Sequence, residues 1–157
     1  VKLKTTDDKN DDDRSNNHHH PIMMMASTEV IIEAPIEVVW EIMTNVHKYS
    51  EWNPFVVSVD YYCQEEEEPG VMKEGASMAL NVVFPKHKKS GKITTSKEKV
   101  LVLDPPSGSP KSALWEYQFV SWLHYWNLIR ATRIQQLTEI ANYHGGKTTK
   151  YYTEERF

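Results

Sequence analysis

The stretch at residues 34–55 constrains the fold most, because it contains a helix start, an apolar stripe and a stop signal in close succession. Pro35 suits the first position of a helix, where its missing N–H is not needed and its fixed φ is already helical. The apolar stripe that follows has three- and four-residue spacing and predicts a helix of about two to three turns; it consists of Ile36, Val39, Trp40 and Met43. A second short helical segment is predicted at residues 47–52, and Asn53-Pro54 ends it, because a residue before proline is pushed out of the helical region.

Seven β-rich segments surround this helical stretch, one before it and six after it. Each is rich in β-branched or aromatic residues and bounded by turn signals, and several alternate apolar and polar residues. The segments are residues 27–33, 56–64, 77–85, 92–103, 113–120, 128–140 and 148–157, with turns at 69–70, 90–91, 105–110 and 145–146. One strand, two short helices and six further strands predict an α+β fold with a strongly curved antiparallel sheet of about seven strands.

Length, charge and cysteine content narrow the class of protein. A chain of 157 residues corresponds to one domain with a real core. The formal net charge of −4 and the pI near 6.0 argue against a nucleic-acid surface, which normally carries a basic stripe. The single cysteine, Cys63, cannot form an internal disulfide, so we expect a reducing, cytoplasmic location. No apolar run approaches the ~18–20 residues that span a bilayer, and no signal peptide is recognisable.

Residues 1–26 are expected to form a disordered polar segment. The run DDKNDDDRSNNHHH at residues 7–20 cannot bury enough apolar surface to offset its ordering entropy. The three adjacent histidines that end it are interpreted as solvated polar sequence rather than as a metal site. The chain does not begin with methionine, and one interpretation places the natural start among the methionines at residues 23–25.

Three segments resemble the START-like helix-grip superfamily, also called the SRPBCC group, which includes polyketide cyclase/dehydrase-like and lipid-transport proteins. The most specific segment is EVIIEAPIEVVWEIMTNVHKYSEWNPF at residues 29–55, with an AP-x-x-x-V-W helix start followed by Y-x-x-W-N-P-F. The other two are Glu74-Gly75 before a strand and GGKTTKYYTEERF at residues 145–157. The resemblance identifies residues 27–157 as a START-like ligand-binding domain.

The resemblance implies that a long C-terminal helix covers the concave face of the sheet and encloses a ligand cavity. The chain ends at residue 157, where that helix is expected to begin. Burying about five large apolar side chains, at ~1.5–3 kcal/mol each, would contribute on the order of 10 kcal/mol, which is comparable with the ~5–15 kcal/mol net stability of a whole domain. We therefore expect the C-terminal helix to be absent or truncated, and favour the interpretation that the sequence is a fragment.

The sequence carries no recognisable catalytic, metal-binding or cofactor motif. Glycine-rich phosphate loops and a nucleophile elbow are missing, and no His or Cys pair has metal-ligand spacing. Cys63 has no basic neighbour in sequence and is interpreted as a small buried or edge residue. The domain's histidines are scattered and are interpreted as surface or structural residues; they are His47, His87, His124 and His144. We predict no catalytic residues, no metal and no cofactor.

Aromatic residues are dense in the segment WEYQFVSWLHYW at residues 115–126. On a strand, one face carries Trp115, Tyr117 and Phe119, and the other face carries Glu116. The aromatic face is either core packing beneath the helices or the wall of an apolar cavity, where Tyr117 and Trp115 offer a hydroxyl and an indole N–H to a ligand. We predict these three aromatics as ligand-binding residues. The aromatics beyond them form a cavity mouth, a partner surface or further packing under the C-terminal helix: Trp122, Tyr125 and Trp126.

A second group of candidates lies at the end of the helical stretch and comprises Trp52, Pro54 and Phe55. In one interpretation these residues only lock the second helix against the sheet. The resemblance implies that this corner lies near the cavity entrance. We therefore predict these three residues as further ligand-binding residues, at the rim.

The resulting hypothesis is binding or transport of a hydrophobic small molecule, lipid-like or polyketide-like, with no nucleic-acid partner and no integral membrane segment. The first alternative is a polyketide cyclase/dehydrase-like enzyme, which would need a buried acid or base such as Glu116 or Glu33 facing the cavity. Alternation places Glu116 opposite the aromatic face, which counts against this alternative. The second alternative is a protein-interaction module that uses the concave sheet. The sequence does not predict the oligomeric state.

Overall fold

The computed structural model of the 157-residue chain describes residues 2–3, 24–62, 72–84, 91–120, 131–141 and 146–157. The helices and strands follow in the order β1 (Lys2–Leu3), β2 (Met25–Ile32), α1 (Ile36–Thr44), α2 (Tyr49–Trp52), β3 (Val56–Tyr62), β4 (Ser77–Val82), β5 (Thr94–Ser107), β6 (Ser112–Phe119), β7 (Thr132–Ala141) and β8 (Lys147–Arg156). A single turn of 3-10 helix, Val46–Lys48, joins α1 to α2.

The strands form one antiparallel sheet in the order β1-β2-β8-β7-β6-β5-β4-β3. Register shifts within β3 and within the β5–β6 pair mark bulges, which bend strands and increase their twist. The result is a curved, open sheet with the helices inserted between β2 and β3. These features confirm the predicted α+β helix-grip fold, with its seven long strands and two short helices.

Helix α1 turns the predicted apolar stripe toward the sheet. The buried positions are Ile36, Val39 and Met43, with Trp40 partly buried against the core. Pro35 lies one position earlier than predicted, as the N-cap, and its carbonyl oxygen accepts a hydrogen bond from the Val39 N–H at 3.2 Å. The helix is followed by Asn45 and α2 by an extended Asn53, as the sequence signals predicted.

Strand β5 continues past the point where the sequence predicts a turn. The sequence prediction of a turn at 105–110 is wrong for residues 105–107, because Pro105 and Pro106 belong to the strand. The turn begins at Gly108, whose φ is +83°. Here β5 no longer pairs with β4, and its register with β6 shifts between Asp104 and Ser107. Prolines are tolerated at such a position because, in the part of the sheet that the structure describes, neither Pro105 nor Pro106 is paired with a residue of a neighbouring strand.

The other strand boundaries differ from the predicted ones by small shifts, and parts of three predicted strands, residues 63–64, 85 and 128–130, lie outside the described residues. Strand β2 begins at Met25 rather than at residue 27. The two residues of β1 pair with Ala26 and Ser27 of β2. Residues 4–23 of the polar N-terminal segment lie outside the described residues, so its disorder stays a prediction.

The core lies between the helices and the concave face of the sheet. The side chains that are almost completely buried come from both layers: Ile36, Val46, Met78, Val100, Trp115, Leu137 and Thr149. Thr149 is a polar member of this set, and its hydroxyl donates a hydrogen bond to the Ala34 carbonyl at 2.8 Å, which fastens the start of α1 to β8. None of the described helices has the length and apolar character needed to cross a membrane.

Candidate ligand-binding site

Three rows of side chains run across the concave face over strands β6, β7, β8 and β2. Residues paired directly across neighbouring antiparallel strands point to the same face of a sheet. The first row is Ala113, Leu137, Tyr151 and Val30; the second is Trp115, Gln135, Thr153 and Thr28; the third is Tyr117, Arg133, Glu155 and Ala26. The helices bury Leu137 and Trp115 in these rows, whereas Val30 on β2 is 49% exposed. The concave face is therefore covered over β6 and β7 and open toward β2.

A chain of aromatic contacts links helix α2 to the floor of this face. The rings of Trp115 and Tyr117 have centroids 5.0 Å apart, and Tyr49 of α2 meets Trp115 edge-on at 6.4 Å. On the outer side, Trp52 packs against Tyr49 with centroids 4.6 Å apart. The indole Nε1 of Trp115 is buried, and among the described residues it has no hydrogen-bond partner.

A hydrogen-bonded network of buried polar groups continues from these aromatics toward β8. Nε2 of Gln135 donates to the Tyr117 hydroxyl at 3.2 Å, and the Tyr151 hydroxyl donates to Oε1 of Gln135 at 2.9 Å. Both functional atoms of the buried Gln135 amide are thus paired, which offsets its desolvation. The amide holds two tyrosine hydroxyls in fixed positions on the concave face.

A cavity of about 240 Å³ opens over the second and third rows. It is lined by residues 26–28 of β2 and by Arg133, Tyr151, Thr153 and Glu155 of β7 and β8. Across its wall, Nη2 of Arg133 donates to Oε2 of Glu155 at 2.6 Å, with the side chains 44% and 32% exposed. Most of the lining residues carry a polar side-chain group, although much of the surface that they expose is apolar, and Tyr151 connects the lining through Gln135 to the buried aromatics.

The phenols of the site are held in their neutral form. Burial raises the pKa of Tyr117 to about 12, although the nearby Arg133 guanidinium acts in the opposite direction. Burial likewise raises the pKa of Tyr49 and, to a lesser extent, that of Tyr151. At neutral pH all three therefore carry a hydroxyl proton and can donate a hydrogen bond.

Glu98 of β5 is an acidic side chain on the same face. It is paired across the sheet with Phe119 and is only 8% exposed. Burial raises the pKa of its carboxyl, while a hydrogen bond from the Ser96 hydroxyl at 2.5 Å and the charge of Arg133 act in the opposite direction. Buried carboxyls with raised pKa values are frequent among catalytic acids, although structural groups also have them.

The predicted aromatic face of β6 exists, and its members differ in burial. Trp115 and Tyr117 are buried, Phe119 is partly buried, and Glu116 points to the opposite face, where its charge acts on Arg156. Glu33 is exposed. Neither glutamate named for the enzyme alternative therefore lies among the buried groups of the site.

The predicted rim residues lie apart from the cavity lining. Trp52 is roughly half-exposed and packs against Tyr49, and Phe55 is similarly exposed. Pro54 is exposed between them. Their predicted role in ligand binding stays a prediction.

Several positions named from the sequence lie outside the described residues: Cys63, His87, His124, His144, Trp122, Tyr125 and Trp126. His47 is exposed in the 3-10 turn, as expected for a surface histidine. In the described part of the chain, no three His, Cys, Asp or Glu side chains are grouped so as to hold a metal ion.

Sequence reasoning missed the polar half of the site, which consists of Tyr49, Glu98, Arg133, Gln135, Tyr151 and Glu155. Alternation alone groups Arg133 with Gln135 on β7 and Tyr151 with Glu155 on β8. Both faces of these strands carry polar side chains, so alternation does not indicate which face is the concave one. The pairing with the apolar residues of β6 decides it.

Comparisons with known proteins agree with this architecture. The sequence profile of the family described as polyketide cyclase / dehydrase and lipid transport matches residues 23–136. Similar solved structures include the Zhui aromatase/cyclase from a Streptomyces species, with 14% identity, a TM-score of 0.52, and 86% of this chain and 68% of that chain covered. A START superfamily protein from Mycobacterium smegmatis has 14% identity and a TM-score of 0.50 over 84% of this chain and 74% of its own.

A hypothetical protein from Helicobacter pylori has 9% identity and a TM-score of 0.58, with 96% of this chain and 80% of that chain covered. Identities this low establish a shared fold and nothing finer. No match to a curated protein sequence reaches significance. The family profile spans most of the chain, and by this match the chain belongs to the polyketide cyclase/dehydrase and lipid transport family.

Proposed function

We propose that this protein binds a hydrophobic small molecule on the concave face of its sheet. The observation that carries the proposal is the cavity of about 240 Å³ beside the buried aromatic floor, on a face that the two helices cover only in part. Sites for small molecules are typically concave, largely apolar and equipped with a few convergent polar groups. The aromatic floor supplies the apolar part, and the cavity lining supplies the polar groups.

In this proposal the ligand's apolar body lies in the cavity beside Trp115, Tyr117 and Phe119, of which the first two are almost completely buried behind its wall. The buried indole N–H of Trp115, which has no partner among the described residues, is a donor that a ligand carbonyl oxygen would satisfy. The proposal assigns Trp52, Pro54 and Phe55 to the rim, where exposed apolar surface would guide an apolar molecule toward Tyr49.

The apolar surface that a ligand can bury limits the affinity with which the protein can bind it. Burying roughly 300 Å² of apolar ligand surface at ~25 cal/mol per Å² gives roughly 7 kcal/mol. The translational and rotational freedom that the ligand loses on binding costs several kcal/mol or more. We therefore expect micromolar or weaker binding, unless the polar groups of the cavity add to it.

The test is a fluorescence titration with N-phenyl-1-naphthylamine, an uncharged apolar dye, together with native mass spectrometry of the purified chain. The variant Thr153→Trp places an indole in the cavity and is expected to weaken dye binding at least tenfold. Gln136→Trp is the matched control, because Gln136 lies on β7 next to Gln135 but is exposed on the opposite face. The absence of dye binding by the unaltered protein, or equal binding by both variants, would refute the proposal.

A second candidate function is acid–base catalysis on a polyketide-like substrate, which the buried carboxyl of Glu98 favours. A carboxyl with a raised pKa on the ligand-facing side is suited to donate or accept a proton. The test is Glu98→Gln, assayed with a synthetic poly-β-ketone thioester by chromatographic detection of cyclised products. Catalysis predicts loss of product formation with unchanged dye affinity, and no product from the unaltered protein would exclude this activity for that substrate.

A further inference from the structure

The charges around the cavity are already balanced within the protein. Arg133 and Glu155 both line the cavity, and the 2.6 Å contact between Nη2 and Oε2 joins a cation to an anion. Burial acts against the charged guanidinium, but the neighbouring Tyr117 and the Glu155 carboxylate together raise its pKa, so Arg133 carries its charge at any ordinary pH. The pair brings no net charge to the cavity wall.

A second carboxyl near Arg133, that of Glu98, makes the cavity less favourable for anions. Glu98 on β5 is close enough for its charge to interact with Arg133, and Glu155 in turn raises the pKa of Glu98. Around Arg133, the charged groups that interact on this face are thus one guanidinium and two carboxyls, those of Glu98 and Glu155. A ligand carboxylate entering the cavity would meet a cation that Glu155 already occupies, and would lie beside like charges.

An uncharged polar group meets different conditions. A guanidinium has five N–H donors; in Arg133 one is engaged by Oε2 of Glu155, and the Tyr117 hydroxyl is a second hydrogen-bond partner, which leaves further donors for a ligand. The Tyr151 hydroxyl donates its proton to Gln135, so its oxygen, which also has Thr153 as a hydrogen-bond partner, acts toward a ligand only as an acceptor. A ketone, ester or phenol can therefore accept from Arg133, and a phenol can also donate to Tyr151 or to the Glu155 carboxylate.

We infer that the cavity selects hydrophobic ligands whose polar end is uncharged, carrying a carbonyl or hydroxyl group, and that Glu155 imposes this selection by occupying Arg133. The inference rests on the proposed function, since it concerns the ligand of the same cavity. Glu155 acts here as a specificity residue. Its carboxylate neutralises the guanidinium, which can still donate hydrogen bonds to neutral acceptors but no longer attracts a ligand anion.

The experiment compares three ligands with one ring system, namely 2-naphthol, methyl 2-naphthoate and 2-naphthoate, by displacement of N-phenyl-1-naphthylamine at pH 7. The first two are uncharged at this pH and the third is an anion. For the unaltered protein we expect both neutral ligands to bind at least tenfold more tightly than 2-naphthoate. This comparison needs no variant, so it stands even if a substitution disturbs folding.

The variant Glu155→Gln retains the side-chain size and frees the guanidinium from its counter-ion. We expect it to tighten 2-naphthoate binding at least tenfold and to leave methyl 2-naphthoate within about threefold. Glu29→Gln is the matched control, because Glu29 forms a similar exposed pair with Lys150 at 3.1 Å, on the face of β2 opposite Thr28, and changes the net charge equally. Circular dichroism spectra verify that both variants are folded.

The possible outcomes separate the inference from the function on which it rests. If the dye binds and 2-naphthoate competes as well as its methyl ester, the inference is wrong while the proposed function stands. Equal tightening of 2-naphthoate by both variants would also overturn it, since the effect would then be one of net charge. If neither the dye nor any naphthalene ligand binds, the proposed function itself fails.

Discussion

Tyr49 of helix α2 meets Trp115 of strand β6 edge-on, with ring centroids 6.4 Å apart and planes at 85°. Three strands, β3 to β5, lie between the two residues along the chain, yet both residues are buried in the same core. Edge-to-face aromatic pairs contribute about 0.5–1.5 kcal/mol beyond the area that they bury. This contact joins the helical cover to the floor of the proposed ligand site.

We predict that Tyr49→Ala lowers the free energy of unfolding by about 3–5 kcal/mol, as is typical when a large buried aromatic is truncated. Ile42→Ala is the control on the outer face of α1, where the side chain is exposed, and should change stability by less than about 0.5 kcal/mol. Urea unfolding followed by circular dichroism measures both. Equal stability of the two variants would contradict the role of this contact.

The buried amide of Gln135 provides the second prediction. Gln135→Leu removes one hydrogen-bond partner from each of the Tyr117 and Tyr151 hydroxyls, and losing such partners in a buried network costs up to about 1–3 kcal/mol. Gln136→Leu, one residue along β7 and exposed, should be nearly neutral. The comparison uses the same unfolding assay, and a Gln135→Leu variant as stable as the Gln136→Leu variant would show that the network does not stabilise the fold.

The third prediction concerns Glu98 and pH. Burial raises the pKa of this carboxyl above its usual value of 4.5, so the folded state binds its proton more tightly than the unfolded state. The stability that the protonated carboxyl contributes is fully present below pH 4.5 and is lost as the pH rises through the raised pKa of the folded state. Glu98→Gln should therefore stabilise the protein relative to wild type at pH 7, and the difference should disappear near pH 4. Unfolding curves between pH 4 and pH 7 measure this stability difference. A difference that grows as the pH falls would contradict the prediction.

The fourth prediction concerns alkaline conditions. The Tyr117 phenol has a pKa of about 12 in the fold, against an ordinary value of 10.0. The stability that it contributes is present below pH 10 and declines as the pH rises toward 12. Tyr117→Phe should therefore lose less stability than wild type between pH 10 and 12, whereas Tyr62→Phe, at an exposed position, should follow wild type. Thermal unfolding at a series of alkaline pH values provides the comparison.

Local patterns in the sequence were sufficient to predict the helices and most of the strands of this fold. The stripe of Ile36, Val39 and Met43 predicted the buried face of α1, and alternation predicted that Trp115 and Tyr117 share a face. Both patterns depend on short-range geometry, namely the periods of a helix and of a strand, which any few consecutive residues already contain. The prolines of β5 were misjudged because their tolerance depends on which neighbouring strands are present there.

The polar half of the site was decided by the tertiary structure. Nothing near Glu98 or Gln135 in the sequence indicates that they share a face with Tyr117, because only strand register brings them together. A register shift of one residue would turn Gln135 outward and bring Gln136 to the concave face. The sequence therefore determined the fold class and the aromatic floor, whereas long-range pairing placed Arg133 and Glu155 together at the cavity, since register is set by the whole sheet and not by any one strand.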